Sequence, residues 1–256
     1  MQRLAGKIAV VTGAGTGIGQ SIAKRLGSEG AEIVVDYVGD PGGAKATRSA
    51  IQQTGAEAET VQADVTRHDD VRKLVDIAWT RFGSADILVN NAGMEHKADF
   101  CDTAEADYGK IMSVNLRGPF FLTQEFVRRL RDARKPSRII NISSVHEDMA
   151  SPGFSTCCCS KGATRMLVRD LAVELGPLGI TVNNVAPGAI AAPINKALLE
   201  DKPKLDALFK NIPLGWLGSP DDVAGTVAFL ASEDAAYITD ATLVVNGGLM
   251  RNYHEQ

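Results

Sequence analysis

Short apolar runs alternate along the chain with longer stretches whose apolar residues recur every three or four positions. The runs are 7–12 (KIAVVT), 31–36 (AEIVVD), 56–64, 86–90 (DILVN), 138–141 (RIIN), 180–185 and 242–245. They are short, β-branched and apolar throughout rather than alternating, as parallel strands covered on both faces are. The longer stretches are 18–28, with Ile22, Ala23 and Leu26 on one face and Gly30 beyond, then 41–54, 67–82 with Val71, Leu74, Val75 and Ala78 in period, 107–132 and 154–175. They carry helical period and helix stop signals. Strands interleaved with helices predict an α/β fold: a doubly wound parallel seven-stranded sheet with right-handed crossovers, in a single domain over 1–256. Residues 190–218 break the rhythm with Pro193, Pro203 and Pro213. An insertion there is expected to lie beyond the carboxyl end of a strand, where such folds bind ligands.

Composition changes this picture mainly by exclusion. The 256 residues are 45% hydrophobic and 23% charged, ordinary values for a globular protein that needs neither disulfides nor metal to stay folded. A net charge of −4 argues against nucleic acid or an anionic membrane as partner. One basic cluster, Arg128, Arg129, Arg131, Arg134, Lys135 and Arg138, reads as a solvated helix end stopped by Pro136. The first residues run directly into an apolar strand without the apolar core of a signal peptide, and no run reaches the ~20 residues of a membrane helix. Three of the four cysteines are consecutive, Cys157 to Cys159, which suits neither a secreted disulfide framework nor a zinc site. Adjacent helical residues point about 100° apart, so these read as helix side chains of apolar character. A cytoplasmic protein is expected.

The first strand runs into Gly13-Ala-Gly-Thr-Gly17-Ile-Gly19 and then a helix. Glycines let a backbone turn tightly and approach a pyrophosphate, and a helix N-terminus favours its charge. The spacing Thr-Gly-x-x-x-Gly-x-Gly over Thr12 to Gly19 resembles that of the short-chain dehydrogenase/reductase family. Further landmarks follow in that family's order: Asp64-Val65 after the third strand, Asn90-Asn91-Ala92-Gly93 after the fourth, Asn115 in SVNLRG, Ser143-Ser144 closing the fifth, Lys161 in SKGA, Pro187-Gly188 after the sixth, and Val245-Asn-Gly-Gly248. Within the family, Asn90-Asn-Ala-Gly-Met-Glu95, Ile142-Ser-Ser-Val-His-Glu147 and Pro187 to Asn195 resemble the bacterial glucose 1-dehydrogenases. The resemblance implies a Rossmann-type sheet and an NAD(P)-dependent oxidoreductase of alcohols or sugars. It places the dinucleotide against Gly13, Thr16, Gly17, Ile18, Gly19, Asp64, Val65, Asn91, Ala92, Gly93, Lys161, Pro187, Gly188 and Ile190. It also implies a homotetramer.

One position departs from the family. Its catalytic pair is Tyr-x-x-x-Lys, and the residue four before Lys161 is Cys157. The i, i+4 spacing sets both on one helix face. Ser144 precedes Cys157 by the family's 13 residues, so the register holds, and no tyrosine lies between Tyr108 and Tyr237. In the family the tyrosine passes a proton to or from the substrate oxygen, the lysine holds ribose hydroxyls and lowers the phenol pKa, the serine binds the substrate oxygen, and the asparagine holds a water on the proton path. The resemblance thus gives Asn115, Ser144, Cys157 and Lys161 as the catalytic set. A thiol titrates in a suitable range, near 8.5, and a neighbouring ammonium is expected to lower it. It ends a whole ring short of a phenol, however, and an acid or base must come within about 3 Å of its proton partner or act through one water. Two readings follow: an alcohol or sugar dehydrogenase impaired at this residue, or an NAD(H)-binding protein with a non-catalytic or thiol-dependent role.

For the cofactor, Asp36 ends the second strand and no cation stands near it or in the glycine loop. A carboxylate there is expected to accept from a ribose 2′-hydroxyl and repel a 2′-phosphate, which predicts NAD, with NADP also open because the family's selecting aspartate aligns with Tyr37. The glucose-dehydrogenase resemblance puts substrate contacts at Glu95, Ser144, His146 and Asn195. Converging polar groups suit a polyhydroxylated substrate. A Ser-His hydrolase built on Ser144 and His146 lacks its Gly-x-Ser-x-Gly elbow.

Overall fold

The computed structural model describes residues 2–133 and 135–251. Seven strands form one sheet: β1 (Ile8–Val11), β2 (Glu32–Tyr37), β3 (Ala58–Gln62), β4 (Ile87–Asn90), β5 (Ser137–Ile142), β6 (Ile180–Pro187) and β7 (Thr242–Val245). Their order is β3-β2-β1-β4-β5-β6-β7, and every pairing is parallel. The order reverses between β1 and β4, which opens a crevice at the carboxyl ends of the strands.

Strand side chains alternate faces, and here both faces are dry. In β1 and β2, Ala9, Val11, Ile33 and Val35 enter one core while Val10 and Val34 enter the other. The first core is closed by Ile22, Ala23 and Leu26 of α1 (Gly17–Ser28), Ala44 and Ile51 of α2 (Pro41–Gln52), and Val223 and Val227 of the last helix. The second is closed by Val71, Leu74, Val75 and Ala78 of α3 (His68–Phe82) and by two later helices. This is why β1, β2 and β4 are apolar at successive positions; β6 departs from the pattern, with buried Asn183 and Asn184 donating to Ile238 O and to Glu147.

The stretch expected as one helix over 107–132 is divided. Helix α4 (Glu105–Met112) passes through a widened, π-helical turn, Ser113–Arg117, into α5 (Gly118–Ala133). Gly118 starts α5 because a Cβ there would press on Val65, 2.9 Å from its Cγ2 and 3.0 Å from its carbonyl oxygen. Helix α6 (Ser155–Leu175) matches its expected span closely. The 190–218 region holds a turn at Pro193–Asn195, a single-turn helix α7 (Lys196–Leu199) and α8 (Lys202–Asn211), and its ends join through an Ile190–Gly218 bridge. Helix α9 (Pro220–Ala231) has no counterpart among the predicted elements. Its signal is local: Pro220 opens it, and Ser219 and Asp222 form a reciprocal capping box.

The basic cluster in the last turns of α5 and just beyond it is largely matched by carboxylates. Arg129 pairs with Asp76, Lys135 with Asp86 at 2.9 Å and Arg138 with Glu233 at 3.3 Å. Arg134 lies outside the described residues. No helix among the described residues is long and apolar enough to cross a membrane.

Candidate active site

The glycine loop is held by β4 and by Asp36. Thr12 Oγ1 accepts from the backbone N–H of Asn91 and of Ala92, both at 2.9 Å, and donates to Val89 O. Asn91 Nδ2 donates to Thr12 O at 2.8 Å. Gly13 (φ +62°) and Gly17 (φ +55°) take left-handed conformations that only glycine adopts freely. Gly19 has no room for a side chain, because its Cβ would overlap the amide of Asn91 and the carbonyl of Gly13. Thr16 precedes α1 without capping it through its side chain, and the first turn holds no acid, so the N–H groups there face an open positive helix end. The 190s loop meets this turn: a Cβ on Gly17 would lie 3.1 Å from Pro193 Cδ.

The second half of the site is built around α6. Lys161 is buried, and its Nζ donates to Ile142 O at 2.8 Å, which ties α6 to the end of β5. One turn earlier, Cys157 is 4% exposed. Ser160 Oγ donates to Cys157 O at 2.8 Å and accepts from Asn115 Nδ2 at 3.2 Å. Asn115 also grips Met94 twice, accepting from its N–H and donating to its carbonyl, each at 2.9 Å. The widened turn lets Asn115 face inward to do this. The segment after β4 therefore crosses Lys161 at a fixed height, and a Cβ on Gly93 would lie 4.0 Å from Nζ. Ser144 Oγ accepts from His146 N–H at 3.2 Å, and the His146 ring stacks on Phe154 just ahead of α6, centroids 5.4 Å apart.

A family profile described as enoyl-(acyl carrier protein) reductase matches residues 13–250. A 3β-hydroxysteroid dehydrogenase of Eggerthella lenta is 41% identical over 96% of this chain and 94% of its own length. Glucose 1-dehydrogenase 2 of Bacillus subtilis is 37% identical over 96% and 95%. The chain belongs to the short-chain dehydrogenase/reductase family. This is an oxidoreductase family acting on CH–OH groups, and the crystal structure of one member, a gluconate 5-dehydrogenase from Burkholderia cenocepacia in complex with NADP and tartrate, superposes with a TM-score of 0.92 at 35% identity, covering 98% of both chains.

In this short-chain dehydrogenase the structure joins Gly13, Asp36 and Asn91 at the glycine loop and Gly93, Asn115 and Lys161 in the second half, and it corrects two expectations. Asp36 is 1% exposed, and its Oδ2 accepts from Gly13 N–H at 3.1 Å. The carboxylate braces the glycine loop from inside rather than standing free at the strand end, so it does not supply the ribose contact expected of it. Burial pushes this carboxyl up to about 7, against the pull of nearby backbone N–H groups. The second correction concerns Cys157. Burial outweighs the Lys161 ammonium and pushes the thiol up to about 11, so it stays protonated at neutral pH. Asn195 uses its amide on Ile190 O at 2.8 Å, and no described contact joins it to Glu95 or His146. Asp64 Oδ1 accepts from the N–H and the hydroxyl of Thr66, which shapes the end of β3.

Two contributors escaped the sequence reading. Ser160 links Asn115 to the backbone at Cys157, and Thr12 carries the crossing between the glycine loop and β4. Both stood inside recognised motifs, but a hydroxyl that bridges two elements leaves no mark in the sequence.

Proposed function

We propose that this chain is an NAD(P)-dependent dehydrogenase of a sugar or simple alcohol, resembling the glucose 1-dehydrogenases, with turnover lowered by the cysteine at position 157. The observation that carries the reading is that Lys161, tied to Ile142 O at the end of β5 with Cys157 one turn earlier on α6, lies against the Asn115-held segment after β4. The open N-terminus of α1 and the glycines at 13, 17 and 19 fit a pyrophosphate, with Thr16, Ile18, Asn91, Ala92, Gly93, Pro187, Gly188 and Ile190 around the rest of the dinucleotide and Lys161 toward its ribose. Asp64 and Val65 stand toward the adenine. When bound, that cofactor accepts or returns a hydride. With Asp36 turned inward, the preference for NAD rests on the lack of a cation in residues 36–39 and in the glycine loop, and NADP is the alternative.

Ser144 Oγ holds the substrate oxygen, and Glu95 and His146 offer the substrate polar groups with no described side-chain partner. The buried His146 Nδ1 has none. Burial and Lys161 lower the His146 pKa, which keeps the imidazole neutral at pH 7. A homotetramer resident in the cytoplasm belongs to the same proposal, supported by the apolar Met166 and Val173 exposed on α6 and by four unpaired cysteines. The protonated, buried thiol favours a second reading, a dinucleotide-binding protein without alcohol turnover.

Cys157→Tyr separates the two. NAD- and NADP-linked oxidation of glucose and a few simple alcohols is measured for both chains. The dehydrogenase reading expects a gain of about 10²-fold or more, the usual worth of a general acid–base group. No turnover in either chain with dinucleotide binding intact leaves the binding reading.

A further inference from the structure

If residue 157 is a buried, protonated thiol, the proton of the reaction needs another carrier. Gly93 lies against the Lys161 ammonium, a Cβ there being 4.0 Å from Nζ, and Asn115 pins the next residue by both backbone groups of Met94. Glu95 is the next residue. Its half-buried carboxylate makes no hydrogen bond or ion pair among the described residues, and it lies within electrostatic reach of both the Lys161 ammonium and the Cys157 thiol. The other titratable groups nearby are His146 after β5, Glu147 beside it, Cys158 on α6, and the exposed His96, next to Glu95 in the chain and 3.6 Å from Asp107.

We propose that Glu95 is the general acid–base residue of this site, in the role that the family gives to the residue at position 157. The proposal rests on the dehydrogenase reading above. In the oxidising direction the alcohol O–H bond breaks and its proton passes to the Glu95 carboxylate, directly or through one water. The adjacent C–H bond breaks, its electron pair leaves as hydride to the oxidised nicotinamide, and the C=O bond forms. Glu95 then releases the proton to solvent. In reduction each transfer reverses, and the protonated carboxyl donates. Burial raises the Glu95 carboxyl above its ordinary 4.5 while Lys161 opposes the rise, which moves it toward the range a proton carrier needs. His146 is the weaker candidate, because its Nδ1 is enclosed and its ring is stacked on Phe154.

The test is a cycle of E95Q, C157Y and the double variant, with pH profiles of alcohol oxidation and nucleotide binding followed by fluorescence. Glutamine keeps the size and hydrogen bonding of Glu95 and removes the proton acceptor. E95Q in the parent chain should lower kcat by about 10²-fold or more and abolish the acid limb of the profile, which lies above pH 4.5. In the C157Y background the cost of E95Q should shrink at least about tenfold, because the phenol then carries the proton. Titration of the cofactor-free protein by carboxyl NMR should show a glutamate signal, lost in E95Q, moving above the ordinary range. Equal costs of E95Q in both backgrounds would mean a substrate-binding role and overturn the proposal. So would an acid limb lost in H146Q instead of E95Q, or a parent chain without turnover while C157Y is active. If neither parent nor C157Y turns over although dinucleotide binds, the dehydrogenase reading falls along with it.

Discussion

The buried carboxyl of Asp36 makes a prediction that can be worked from the structure. Its Oδ2 receives the Gly13 N–H, its Oδ1 has no hydrogen-bond partner, and the nearby Asp64 carboxylate adds to the burial that raises its pKa. The rise runs from 3.8 to about 7. At ~1.4 kcal/mol per unit, ionising Asp36 costs up to about 4 kcal/mol more in the folded chain than in the unfolded one. Between these two values the folded chain keeps a proton that the unfolded chain has released. Stability therefore falls as pH rises through this window and levels off above it. Asp36→Asn keeps an acceptor for Gly13 N–H and removes the titration. Its new amide N–H groups lack a partner, a pH-independent cost of about 1–3 kcal/mol. Urea unfolding of both chains at pH 5, 6, 7 and 8 gives the difference directly, since every other titrating group cancels. The variant should gain on the parent steadily from pH 5 to 7 and hold that gain at pH 8. A difference that stays constant over this range, or moves against the variant, would refute the burial argument.

Two further predictions follow from the site. Thr12→Val strands the N–H groups of Asn91 and Ala92, and should lower unfolding stability by about 2–4 kcal/mol and weaken dinucleotide binding, measured by denaturation and fluorescence titration. Cys157, with its thiol pushed up to about 11, should resist iodoacetamide at pH 8 while the exposed Cys101 reacts. Peptide mass spectrometry reads the order, and early labelling of Cys157 would contradict its burial.

Much of this molecule is local chemistry and so was legible in the chain. A strand dry on both faces must be apolar at successive positions, and β1, β2 and β4 announce themselves that way. The glycines at 13, 17 and 19 are needed for backbone conformation and clearance, so they mark the loop without any partner being known. Lys161 and Cys157 share a helix face by spacing alone. Helix α9 was equally local in its Ser219–Asp222 cap, although its apolar residues show little amphipathic period.

Tertiary structure decided where each charged or reactive group spends its interactions. Nothing in the residues around Asp36 says that its carboxylate turns in to Gly13 rather than out to a ribose, because that depends on how a loop 23 residues earlier folds over the strand end. The protonation of Cys157 is decided in the same way. Its ammonium neighbour is visible in the sequence, but the burial that outweighs it is contributed by elements distant in the chain. The place of Glu95 beside Lys161 depends on a π-helical turn that lets Asn115 hold Met94 across 21 residues. Backbone shape and apolar burial follow from near neighbours, whereas desolvation and hydrogen-bond pairing are sums over everything the fold brings close.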